Sequence, residues 1–285
     1  MITVTGATGH LGRLVIDDLL DRGVPAGQIV AAVRSPEKAA DIAERGVQVR
    51  EADYSRPETL TSAFAGTDKL LLISSSEVGQ RAAQHASAVR AAVAAGVNLI
   101  AYTSILRADT SELALAAEHK ATEELIAESG LPYVFLRNGW YIENYTANLA
   151  PAFQFGAIAG SAGDGKISGA TRADYAAAAG AVLTTEGHAG KAYELGGDAF
   201  TMPEFAAEVA AQSGKAVAYQ SLPAEAYTKV LVDAGLPAPF AGILVDSDLG
   251  ASRGGLFTES SDLRHLIGRP STPLADAVAT AVKTA

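Results

Sequence analysis

No cysteine occurs in the 285 residues. Disulfides, thiolate metal sites and a cysteine nucleophile are therefore excluded. Positive charge is also scarce: 22 lysines and arginines stand against 32 aspartates and glutamates, a formal net charge of −10. Such a surface opposes both phosphate backbones and anionic bilayers, so neither nucleic acid nor membrane is an expected partner. No apolar run reaches the roughly 18 residues of a membrane span. The opening Met1, Ile2, Thr3, Val4 has no basic region ahead of an apolar stretch, so no signal peptide is expected and the cytoplasm is the expected location. The five histidines (His10, His85, His119, His188, His265) show no pair at metal-ligand spacing. No G-x-S-x-G elbow is present. The segment from Gly160 to Lys166 imitates a phosphate-binding P-loop, but the next residue is Ile167 where Ser or Thr is required, and no strong strand is expected before it.

What is present is an apolar chain, 48% hydrophobic, with a regular alternation of patterns over its first half. Strands are predicted at 2–5, 28–34, 47–53, 69–75, 98–105 and 133–137. Between them lie helix patterns at 11–22, after Ser35-Pro36, after the capping-box pattern Ser55-Arg56-Pro57-Glu58, up to Ala95, and at 112–129. The run from Leu70 to Ile73 is continuously apolar, as a strand buried on both faces requires. This order specifies an α/β fold, a Rossmann doubly wound parallel sheet with right-handed crossovers. After Asn138 the pattern loosens, and 151–163 and 237–255 read as loops and short elements. The expected division is a nucleotide-binding unit at 1–140 and a smaller C-terminal α/β lobe at 141–285, with some late segments returning to the sheet. A homodimer is compatible with the sequence and not specified by it.

The chemistry is concentrated after the first strand. Gly6, Gly9 and Gly12 form G-x-x-G-x-x-G between that strand and a helix. The first glycine permits the turn, the second lets backbone amides approach a pyrophosphate, and the third lets helix and strand pack closely. The whole loop, Gly6, Ala7, Thr8, Gly9, His10, Leu11 and Gly12, is then the phosphate cradle, helped by the free N–H groups of the helix start. Arg34 ends the second strand, 22 residues after Gly12. Arginine at that place accommodates a 2′-phosphate, so NADPH is the expected cofactor. Lys38 could assist it, and Asp53 is a weaker candidate for the adenine.

The glycine loop, Arg34, the run LLLISSSEVGQR at 70–81 and the run LPYVFLRNGWY at 131–141 together resemble the NmrA-like atypical short-chain dehydrogenases. Within them the chain is similar first to the bacterial type-2 NAD(P)H:quinone oxidoreductases and next to the triphenylmethane dye reductases. The likeness continues through 163–167, 171–176 and 266–270, nearly the whole chain. It implies an NADPH site completed by Ser74, Ser75 and Ser76 and by Asn138, Gly139, Trp140 and Tyr141. It also implies a quinone, the small-molecule partner, lying beside the nicotinamide under the C-terminal lobe and receiving hydride directly.

The tyrosine and lysine of the wider dehydrogenase family are missing: their places fall on Leu115 and His119. His119, with Glu123 one turn later to raise its pKa, either touches the nicotinamide ribose or is a packing histidine. Trp140, Tyr141 and Tyr145 either stack on a flat substrate or pack the hinge between lobes. Asn144, Glu77 and Gln80 are further polar candidates for the acceptor site. Two other readings remain open: a non-catalytic NADP(H) sensor acting through a partner protein, and a reductase of triphenylmethane or azo-type dyes.

Overall fold

The computed structural model describes residues 1–77 and 79–284; Val78, within the quoted run at 70–81, and Ala285 lie outside the described residues. Nine strands occur among them: Ile2–Thr5 (β1), Ile29–Val33 (β2), Gln48–Glu51 (β3), Lys69–Leu72 (β4), Leu99–Ile105 (β5), Tyr133–Asn138 (β6), Ala157–Gly160 (β7), Lys191–Leu195 (β8) and Ala218–Ser221 (β9). Seven of them form one parallel sheet in the order β3-β2-β1-β4-β5-β6-β8. The remaining two, β7 and β9, pair in parallel as a small separate sheet.

Helices His10–Asp21 (α1), Ala40–Glu44 (α2), Pro57–Ala63 (α3), Arg81–Ala95 (α4) and Ala114–Glu128 (α5) fill the crossovers of the first half. Glu143–Thr146 (α6), Ala150–Phe155 (α7), Arg172–Thr184 (α8), Met202–Ser213 (α9), Ala224–Asp233 (α10), Ala238–Ser252 (α11), Asp262–Ile267 (α12) and Leu274–Thr284 (α13) follow. One face of the sheet is covered by α1 and α8, around Val4, Val15, Leu71 and Val182. The other is covered by α3, α4 and α5, around Leu60, Leu72, Val89 and Tyr102. Every residue of β2 and β5 is buried; β2 is accordingly an unbroken apolar run, while β5 also buries Thr103 and Ser104. The parallel Rossmann sheet expected from the sequence is the observed one. A third apolar cluster, with Ile142, Ile167, Phe200 and Phe205, is the core of the C-terminal elements.

Several local expectations need correction. The segment 237–255 is not loop: it holds α11, a 15-residue helix. Its glycines disguised it, and Gly250 is there for packing, since a side chain at that point would collide with Leu113. Ser55 does not cap α3, and Ser35 makes no side-chain cap. The entry to α3 is held by Thr59 Oγ1, which accepts from the Asp53 N–H at 2.9 Å. Pro36 opens a 3₁₀ turn, Pro36–Ala39, ahead of the short α2. The P-loop imitation does follow a strand, β7, but no helix starts on it. Finally, β4 stops at Leu72, three residues short of the expected strand.

Candidate active site

The sheet's order reverses at β1, whose neighbours are β2 and β4. Open α/β sheets bind ligands in the crevice at such a point, beyond the strand C-termini. A cleft of about 530 Å³ lies there, between the glycine loop, the end of β2 and the segment after β4.

The loop is built by its glycines. Gly6 sits at φ +58°, and its carbonyl accepts from the Gly9 N–H at 2.9 Å. A Cβ on Gly12 would lie 2.7 Å from the Ala7 Cα, so only glycine lets α1 approach the loop this closely. No acidic residue occupies the first turn of α1, leaving the positive end of its dipole free for an anion. Gly6, Thr8, Gly9, His10, Leu11 and Gly12 face the cleft. Ala7 does not: it is fully buried beneath the loop, its N–H directed at the Ala32 carbonyl. Arg13 braces the loop from outside, donating to Thr8 O at 3.2 Å and to Lys38 O at 2.9 Å.

Arg34 lies at the mouth of the cleft, 70% exposed, with Nη1 2.9 Å from Glu77 Oε1. Glu77 is itself held by Gln84, whose Nε2 donates to Oε2 at 2.8 Å. Ser74, Ser75 and Ser76 line the wall, as does Asp53. On the opposite side Tyr141 presents its ring, and the Arg172 guanidinium stacks over it at 4.7 Å. The overall charge is negative, yet Arg34, Arg81 and Arg172 converge on this cleft, a local field suited to phosphates.

Other sequence candidates fall elsewhere. Asn138 is buried at the end of β6; its Nδ2 donates to Tyr141 Oη at 3.4 Å and its Oδ1 has no partner. Gly139 is a packing glycine, since a Cβ there would lie 2.7 Å from Ser168 O. Trp140 packs on the C-terminal core, and its carbonyl accepts from the Ala170 N–H. Tyr145 joins the same core, against Phe200 and Phe205. Asn144 is exposed; its Oδ1 accepts from Arg172 Nη2 at 3.2 Å, so it reaches the cleft through that arginine. Gln80 is exposed at the entry to α4 and off the cleft wall. His119 is 6% exposed, its Nδ1 2.8 Å from the Tyr102 hydroxyl. The expected upward shift of its pKa is reversed. Burial, reinforced by Arg81, pushes it down to about 3, and Glu123 is committed to Arg137 instead.

Besides the apolar Ala52 and Ile73, four cleft residues able to make polar or stacking contacts were missed: Tyr54, Arg81, Gln84 and Arg172. Arg172 had a signal. Thr171 and Asp174 form an S/T-x-x-D pattern that announces a helix start, and the Thr171 side chain does accept from the Asp174 N–H. Arg172 is therefore the first residue of α8, aimed back over the sheet end.

The cleft fits a dinucleotide on its own geometry: a cradle that side chains would fill, a helix N-terminus, converging guanidiniums, and Gln84 Oε1 buried on the wall without a partner. Residues 6–186 match the family model described as NAD(P)H-binding. The chain belongs to that NAD(P)H-binding family. Quinone oxidoreductase 2 of Escherichia coli is 56% identical to this family member over 98% of the present chain and 97% of its own length. The crystal structure of that NADPH-dependent quinone oxidoreductase, complexed with NADPH, superposes with a TM-score of 0.95, covering 98% of this chain and 99% of the other. Triphenylmethane reductase of Citrobacter sp. is 44% identical, with a TM-score of 0.94 over 99% of each chain. An NAD(P)H azoreductase of Xenophilus azovorans is 30% identical over 85% of this chain and 84% of its own.

Proposed function

We propose that this chain is an NADPH-dependent oxidoreductase that passes hydride directly to a quinone. The observation that carries the reading is the cleft itself: the glycine cradle and Arg34 lie on one wall, and Tyr141 under Arg172 on the other. Its likeness to a quinone oxidoreductase over nearly the whole chain supplies the acceptor class. The dye reductases share the chemistry at lower identity.

The backbone amides at the start of α1 would hold the pyrophosphate, Arg34 the 2′-phosphate, and the serines after β4 the ribose and phosphate. The bound cofactor supplies the hydride. The Arg172 guanidinium, lying flat over the Tyr141 ring, offers a planar cationic surface against which a planar acceptor would be oriented. No proton is drawn from the places the wider family uses. Leu115 packs on the C-terminal core, and His119 is buried, neutral and bonded to Tyr102. A quinone tolerates this, because its reduction yields a stabilised aromatic anion that takes a proton from water. A ketone would yield an alkoxide, for which a positioned acid is worth roughly 10²–10⁴-fold in rate.

In this reading residues 1–140 hold the cofactor and much of 141–285 covers the acceptor, in a cytoplasmic enzyme. No helix among the described residues is long and apolar enough to cross a membrane. Steady-state NADPH oxidation with a small benzoquinone and with a ketone panel tests it. Turnover of the quinone alone is expected. Efficient turnover of unactivated ketones would reveal an acid not accounted for. Tight NADPH binding with no quinone turnover would favour the sensor.

A further inference from the structure

Beyond Leu72 the chain has left the sheet, yet its backbone is fixed group by group by side chains. The Ile73 N–H donates to Thr5 Oγ1 of β1 at 2.9 Å, and the Ser74 N–H to Thr103 Oγ1 of β5 at 2.9 Å. The Ser75 N–H donates to His85 Nε2 at 3.0 Å, and the Ser75 carbonyl accepts from Arg81 Nε at 2.8 Å, both from α4. These are the peptides whose side chains, Ser74 and Ser75, form the cleft wall.

His85 is fully buried. Because Nε2 accepts from an amide, the ring proton belongs on Nδ1, which donates to Thr122 Oγ1 at 2.9 Å; the Thr122 hydroxyl donates onward to the Glu118 carbonyl at 2.9 Å. The edges and faces of Tyr54 and Tyr102, with centroids at 5.9 and 5.4 Å, hold the ring in plane. Burial keeps it neutral, with its pKa down to about 3, so the acceptor persists at any ordinary pH. An apolar residue would fill this interior space without desolvating two nitrogens. Both nitrogens here are spent on one task, which is to present an acceptor to a single loop amide.

We propose that His85 is a positioning residue for the cofactor: it fixes the height at which Ser74 and Ser75 meet the dinucleotide. The proposal rests on the reading of this cleft as the NADPH site. Without the acceptor, the part-buried Ser75 amide is left unpaired and the segment must shift toward the cleft to satisfy it.

The test compares wild type with His85→Leu, which fills space without an acceptor, and His85→Gln, whose amide oxygen restores one. NADPH affinity is titrated by protein fluorescence, and kcat and both KM values are measured with benzoquinone. His85→Leu is expected to weaken NADPH roughly tenfold to a hundredfold, the effect of one unpaired buried donor. Quinone KM at saturating NADPH and kcat should stay within about threefold, and His85→Gln should recover NADPH affinity to within about threefold. Thr103→Val, which strips the acceptor of the neighbouring Ser74 amide, should weaken NADPH in the same sense and serves if His85→Leu does not fold. Wild-type NADPH affinity in folded His85→Leu, or equal losses in the Leu and Gln variants, overturns the proposal. So does unchanged affinity in Thr103→Val where it must stand in. A wild type that fails to bind NADPH overturns the reading of the cleft instead.

Discussion

The two walls of the cleft are made in different ways. The glycine-loop wall is backbone chemistry confined to seven consecutive residues, and its shape follows from where side chains are absent. The facing wall is side-chain chemistry gathered from distant segments: Tyr141 after β6, Arg172 at the head of α8, and Asn144 attached through that arginine. The first wall is packed closely between β1 and α1 and, in the proposed reading, serves the cofactor. The second is assembled by packing between elements, and the relatives on this fold include reductases of quinones and of dyes. In the proposed reading, cofactor recognition is local to one loop, while acceptor recognition is distributed over several elements.

The contrast can be broken most severely at Gly9. A Cβ there would lie 3.1 Å from Gly6 O, above the amides that meet the phosphates. Gly9→Val should lose more than about 100-fold in NADPH affinity, the value of two charge-assisted hydrogen bonds, while circular dichroism shows a folded protein. Tight binding by the folded variant would move the phosphate site elsewhere.

A pH series sets the two halves against each other. His85 and His119, in the first half, are held neutral with pKa values near 3 by burial. Between about pH 6.5 and 3 the unfolded chain takes protons that the folded chain refuses, so their contribution to stability falls as pH falls. At pH 5 this costs about 2 kcal/mol for each histidine. Asp248, on α11, is pushed up to about 6 by burial. The folded state takes its proton first, so it adds about 1 kcal/mol of stability over the same descent. Urea unfolding should therefore show a net loss from pH 7.5 to 5, steeper in Asp248→Asn. A flat profile would mean that these histidines are solvated.

Arg34→Ala should reduce the preference for NADPH over NADH by about tenfold, the low end of what a phosphate contact is worth, because Glu77 competes for the guanidinium. Cofactor titrations decide it, and an unchanged preference would assign the phosphate to another residue. The smallest effect on turnover is expected at His119. Loss of its bond to Tyr102 should cost about 1–3 kcal/mol of stability, while kcat with quinone falls less than about tenfold in His119→Ala. A collapse of kcat in a folded variant would make it an essential acid.

The difference between the walls also explains what could be read from sequence. The succession of strands and helices in the first half, the glycine loop and the place of Arg34 just past β2 were legible because each is local: a run, a spacing, a strand end. The choice between the two readings of His119 was not, since its packing role depends on Tyr102 meeting it from β5. Gly139 sits in the quoted run beside the expected cofactor residues, yet it answers to Ser168 and Leu195, which arrive later in the chain. The stretch to residue 75 looked like strand because the apolar run from Leu70 continues to Ile73; the amides of Ile73, Ser74 and Ser75 are satisfied by side chains instead, and such partners carry no periodic signal.

The position of β8 bears on how such an enzyme could be rebuilt. The chain leaves the sheet after β6, makes β7, comes back with α8 against α1 and with β8 beside β6, departs again through α9 to α11, and returns with α12 against α8. The C-terminal lobe is thus drawn from three segments, two threaded between elements of the sheet and a third, α13, which packs on α9 after α12. A chimera with a relative's acceptor specificity cannot be made with a single junction. It needs paired cuts that exchange roughly 140–170 and 197–259 together with α13, and leave α8, β8 and α12 with their own sheet. The same interleaving gives natural variation three separate patches in which to drift while the cofactor side stays in register.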